Sequence, residues 1–105
     1  MLSFHIETTS KCTLECPLCD RTWFFNKFKK RKIHEIDVDH LVSFVPRGSD
    51  ILLCGNNGDP IYHSDFHRLC AKLKEKKCRI RITTNGSFRD RDWWASLAKV
   101  LDKKD

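Results

Sequence analysis

SDILLCGNNGDP, residues 49–60, holds four consecutive apolar residues, Ile51 to Cys54, that stop abruptly in a run of turn formers. A short continuous apolar run bounded in this way reads as a strand covered on both faces of a parallel sheet, because a strand wet on one face would alternate. Strands paired in parallel need long crossovers, usually helical. The sequence on either side must therefore supply helices, and it does.

Upstream, Asp37 is a good N-cap, and Val38, Leu41, Val42 and Val45 recur at i, i+3, i+4 and i+7 before Pro46 and Gly48 break the pattern. Downstream, Ser64 reads as the next N-cap, and Phe66, Leu69, Cys70 and Leu73 repeat the same spacing. Of Lys72, Lys74, Lys76 and Lys77, three fall in the last turns of this helix, where its dipole favours cations. FHIETT (4–9) and CRIRITTNG (78–86) alternate apolar with polar positions and read as the flanking strands, the second stopped by the turn pair Asn85-Gly86. A third helical stripe runs through Trp94, Leu97, Ala98 and Leu101, widened by Trp93 and Val100. The expected fold is α/β, three βα units forming a parallel sheet with right-handed crossovers.

The 105 residues suffice for one domain, which can bury roughly two thirds of the surface its unfolded chain exposes. With 40% hydrophobic residues, four glycines and three prolines, the composition is that of a globular protein and excludes the disordered and fibrous classes. The N-terminus lacks the basic and apolar regions of a signal peptide, and no apolar run approaches the ~18 residues of a membrane span. A cytoplasmic location without a membrane partner is expected. In a reducing compartment, clustered cysteines are metal or redox ligands more often than disulfides.

Three of the six cysteines, Cys12, Cys16 and Cys19, lie within KCTLECPLCDRT (11–22), immediately after the first predicted strand. Their soft thiolates suit zinc, copper(I) or an iron-sulfur cluster. A structural zinc site normally adds a second ligand pair. None is present here, although His34, Cys54 or Cys78 are candidates for a single fourth ligand. Three cysteines on a 4Fe-4S cluster instead leave one iron open to a small chelating molecule. The scattered Cys54, Cys70 and Cys78 read as core packing.

In open parallel sheets, ligands sit beyond the carboxyl ends of the strands. The cysteine loop, GNNGDP and TTNGS all fall at those ends, which argues for one site. The spacing C-x3-C-x2-C after the first strand, with Pro17 following the second cysteine, resembles the signature of the radical S-adenosylmethionine (radical SAM) enzymes. Leu18 stands where that family usually has an aromatic residue beside the adenine. Gly55-Asn56-Asn57-Gly58-Asp59-Pro60 is similar to the family's G-G-E-P segment, with Asn57 for the first Gly and Asp59 for Glu, and Thr83-Thr84-Asn85-Gly86 is similar to its T-N-G turn.

The resemblance implies a 4Fe-4S cluster on Cys12, Cys16 and Cys19, and an S-adenosyl-L-methionine site with Leu18, Asn57, Gly58, Asp59, Thr84 and Asn85. It further implies reductive cleavage of that cofactor to a 5'-deoxyadenosyl radical for hydrogen abstraction from a substrate the sequence does not name, with peptide-modifying members as the guide. A flavodoxin- or ferredoxin-like reductant is the implied partner. It makes residues 1–105 the N-terminal portion of a radical SAM core domain, the first half of a partial (β/α)6 TIM-like barrel. Strand three would then be an unprotected edge and apolar surface would lie uncovered, so self-association is expected. The alternation sets His5 and Glu7 on one face of the first strand and Arg79 and Arg81 on one face of the third, where they would look into a lumen or lie solvated at an edge.

Formal charge is +6, from 20 Lys+Arg against 14 Asp+Glu, which favours acidic partners. RTWFFNKFKKRK (21–32) interleaves aromatic and basic residues in the manner of nucleic-acid or peptide binders. A zinc-stabilised or basic nucleic-acid/peptide-binding module without catalysis is therefore the alternative reading. Packing of those aromatics beneath the cysteine loop is the plainer explanation of the stretch.

Overall fold

In a computed structural model, which describes residues 2–10, 35–55, 58–86 and 89–105, Asp50–Cys54 forms the central strand β2 of a three-stranded parallel sheet. β1 (Ser3–Glu7) and β3 (Arg79–Ile82) flank it, giving the spatial order β1-β2-β3. Three helices alternate with the strands: α1 (Val38–Phe44), α2 (Phe66–Glu75) and α3 (Arg91–Val100). A 3-10 turn, Pro60–Tyr62, precedes α2. The α/β expectation therefore holds among the described residues.

The register sets two faces. Phe4 and Ile6 pair with Ile51 and Leu53, which pair with Ile80 and Ile82. Ile51, Leu53 and Ile80 are fully buried, and they share one core with Leu41, Phe66, Leu69, Leu73 and Leu97 from the helices. Each such side chain contributes about 1.5–3 kcal/mol by leaving water. Among the described residues the helices thus all lie on one side of the sheet.

The opposite face carries Ser3, His5, Glu7, Asp50, Arg79 and Arg81, with Leu52 and Cys54 among them. This corrects the expectation of a β2 covered on both faces, since Leu52 and Cys54 are only half-buried. His5 and Arg81 flank Leu52 in register, and Arg81 donates to Asp50 Oδ2 at 2.9 Å.

The outer edge of β3 is not bare either. Asp105 Oδ1 accepts from the Ile80 amide at 2.8 Å, and the Lys104 carbonyl accepts from Arg79 Nε at 2.9 Å. The turn that follows α3 thus bonds the outer edge of β3 at its amino end.

Helix α1 starts where the sequence indicates, with the Asp37 side chain accepting from the His40 amide at 2.8 Å. It ends against Lys76, whose ammonium donates to the carbonyls of Val42 and, at 2.7 Å, Val45. Helix α2 departs from expectation, because its N-cap position is Asp65, which makes no side-chain cap bond. Ser64 is held instead by Glu35, whose carboxylate accepts from its amide at 3.0 Å and its hydroxyl at 2.6 Å. No helix of the described residues is long and apolar enough to cross a membrane.

Candidate functional site

The parallel pairing places the carboxyl ends of all three strands at one edge of the sheet, and the loops that leave them meet there. Gly58 sits against the chain just past β1. A Cβ at Gly58 would fall inside contact distance of the Thr9 carbonyl oxygen and 2.6 Å from Ser10 Cα, so only glycine lets the two backbones approach this closely. Gly55 is similarly constrained, its missing Cβ facing the Gly58 carbonyl and, at 3.4 Å, Glu7 Cγ. The first and second strand tips therefore touch through backbone.

Asp59 joins the second tip to the third. Its carboxylate is buried, 4% exposed, and Oδ1 accepts from its own loop at the Ile61 amide (3.2 Å) and from the Thr84 hydroxyl (2.6 Å). Oδ2 accepts from the Asn85 amide at 2.7 Å. Thr84 Oγ1 in turn accepts from the Gly86 amide at 3.1 Å, which shapes the turn. Each carboxylate oxygen has two acceptor positions. The three bonds fill Oδ1 and leave one position on Oδ2.

Arg89 fastens the same two loops from outside. Its Nε donates to the Ile61 carbonyl at 2.9 Å, and its guanidinium lies 5.9 Å from the Tyr62 ring centroid and 5.1 Å from that of Trp93.

Of the residues expected at the site, Gly58, Asp59, Thr84 and Asn85 are brought together. Cys12, Cys16, Leu18, Cys19 and Asn57 lie outside the described residues. Both ends of the segment that carries the cysteines are nevertheless placed. Thr9 and Glu35 form an antiparallel bridge, and the Ile36 amide donates to the Thr8 carbonyl at 2.9 Å. The buried His63 accepts at Nδ1 from the Asp65 amide (3.0 Å), so Nε2 carries the proton and donates to the Ile36 carbonyl at 2.7 Å. The segment leaves from Ser10, in contact with Gly58, and returns at Glu35 beside the start of α2. Thr8, 1% exposed, keeps a buried hydroxyl with no hydrogen-bond partner in this region.

The clasp of Glu35 and Ile36 on His63, Ser64 and Asp65 is absent from the sequence reading. Its partners are 27 to 29 residues apart, and no local pattern marks them.

Cys70 and Cys78 are buried, as packing residues should be. Burial pushes the Cys70 thiol up to about 12, which keeps it protonated and unreactive. Cys78 precedes β3, at the opposite end of the sheet from the roots of the cysteine segment, with its thiol 3.9 Å from the Pro46 and Lys76 carbonyls. Cys54 is half-buried at the rim. Among the described residues no three His, Cys, Asp or Glu side chains come together as a metal site. Compared with family models, characterised proteins and solved structures, the chain has no match.

Proposed function

We propose that this chain is the N-terminal portion of a radical SAM core domain, binding a 4Fe-4S cluster through Cys12, Cys16 and Cys19 and S-adenosyl-L-methionine at the strand tips. The observation that carries this reading is the meeting of three loops at one sheet edge. The root of the cysteine segment touches Gly58, and Asp59 is bonded to Thr84 and Asn85. The family resemblance rests on those same three loops.

The donor set fits the group. Three thiolates suit iron, and Gly58 lies in backbone contact with Thr9 and Ser10 next to a carboxylate with one acceptor position free. That free position on Asp59 Oδ2 is where a cofactor ammonium would be held. Bound there, the cluster would supply one-electron reductive cleavage of a carbon-sulfur bond of the cofactor, with a flavodoxin- or ferredoxin-like protein as the electron source. Thr84 and Asn85 orient Asp59, and Leu18 offers an apolar surface to the adenine. The sequential strand order, with the described helices on one face, supports reading these residues as the first half of a (β/α)6 barrel whose lumen His5, Glu7, Arg79 and Arg81 would face.

Anaerobic reconstitution with iron and sulfide tests the reading. About four irons per chain, a brown air-sensitive product, and 5'-deoxyadenosine on reduction are expected, all lost when the three cysteines are replaced together by Ala. One tightly held, colourless zinc per chain would overturn it.

A further inference from the structure

We propose that the cavity between the C-terminal end of α2 and the turn at residues 102–105 binds a small phosphate-bearing ligand, with Lys77, Arg79 and Lys104 as its cationic contacts. The cavity measures about 420 Å³, within the size range of small-molecule sites. It lies at the amino end of β3, across the sheet from the strand tips, and is independent of the function proposed there.

Charge accounting around its wall carries the argument. Among the described residues four cationic and two acidic side chains line it, and the acidic ones are already engaged. Lys74 is paired with Asp102 at 3.0 Å and Asp105 at 2.9 Å. Asp105 also accepts from the Ile80 and Asp102 amides, both at 2.8 Å, and its side chain is only 1% exposed. Arg79 spends only Nε, on the Lys104 carbonyl. The outer nitrogens of Arg79 and the ammonium groups of Lys77 and Lys104 have no bond or ion pair among the described residues. Three cationic side chains of its lining residues are left for an anion.

A second observation falls on one of the three. Lys77 has φ of 60°, in the left-handed region. Its amide bonds the Lys74 carbonyl at 2.9 Å while the Cys78 amide bonds the Leu73 carbonyl at 3.2 Å, the pattern that ends a helix with glycine at this position. An L side chain is strained there. Lysine keeps a cation on the cavity wall at a cost glycine would avoid.

A guanidinium fork with two ammonium groups suits a tetrahedral oxyanion with two or more charges better than a single carboxylate. Among the described residues no aromatic side chain lines the cavity for base stacking, which favours the phosphate over a nucleobase as the group recognised.

Titration of the 105-residue chain with inorganic pyrophosphate by calorimetry tests this, with a short single-stranded oligonucleotide in parallel. One equivalent of pyrophosphate should bind. Lys77→Gly should weaken it by about tenfold while melting no lower than the parent, and Lys104→Ala should weaken it similarly. Lys99→Ala, outside the cavity, should change nothing. Absence of saturable pyrophosphate binding at millimolar concentration would overturn the proposal. So would binding indifferent to both cavity variants, or oligonucleotide binding in its place.

Discussion

At the scale of single residues, the site depends on Asp59 as a strut before any ligand is considered. Asp59→Ala would strand two backbone amides, Ile61 and Asn85, and the Thr84 hydroxyl. We expect a loss of about 3 kcal/mol, read from the urea midpoint, with Asp59→Asn losing about half because one acceptor oxygen survives. Gly58→Ala should cost about 1–3 kcal/mol by driving a methyl group into Thr9 and Ser10. A Gly58→Ala protein as stable as the parent would mean that the first and second tips do not touch. The sequence marks these residues as chemically suited to a cation. It does not reveal that most of the Asp59 carboxylate is committed to neighbouring loops, because Thr84 and Asn85 are 25 and 26 residues away.

At the scale of elements, the start and stop of α1 were legible, whereas the start of α2 and the partner that satisfies the end of α1 were not. Asp37 caps α1 as its local sequence indicates, because an N-cap bond spans only three residues. The end of α1 is satisfied by Lys76, more than thirty residues on, which the sequence alone places simply in the last turns of α2. Lys76→Met keeps the aliphatic stem and removes the two carbonyl contacts. It should lower stability by about 1 kcal/mol in urea titration. Lys72→Met, which removes an exposed pair to Glu75 at 3.8 Å, should change it by under about 0.5 kcal/mol. Equal effects from both would show that the α1 carbonyls do not need this cap.

At the scale of the molecule, the turn after α3 bonds the outer side of β3 at its amino end. Asp105→Ala removes the acceptor for the Ile80 amide and one partner of Lys74. It should cost about 2 kcal/mol and raise concentration-dependent association, measured by light scattering, by baring strand edge.

The pH response has two limbs. The hydrogen bond from Arg68 holds the Asp39 carboxyl below its ordinary 3.8, and that from Lys74 does the same for Asp102. A carboxyl depressed on folding adds stability above its unfolded value and forfeits it as pH falls through the folded one. Burial pulls Lys74 down, but its hydrogen bonds to Asp105 and Asp102 outweigh this and leave it above 10.5. That contribution is complete below 10.5 and is lost as pH rises through the raised value. The urea midpoint should therefore fall below pH about 4 and above pH about 10.5. Added salt should flatten the acid limb, since Asp39 and Asp102 are exposed.

The sequence by itself determined the order of strands and helices, the apolar stripe of each helix and the three polar loops at the strand ends, because periodicity and turn chemistry act over a few residues. Tertiary structure alone decided that the described helices pack on one face and leave Leu52 beside His5 and Arg81, and that Asp105 bonds the outer edge of β3 at Ile80. It also decided that Glu35 and His63 draw the ends of the cysteine segment to the start of α2. Those outcomes depend on hydrogen bonds and burial between residues distant in sequence, whose partners exist only once the chain has folded.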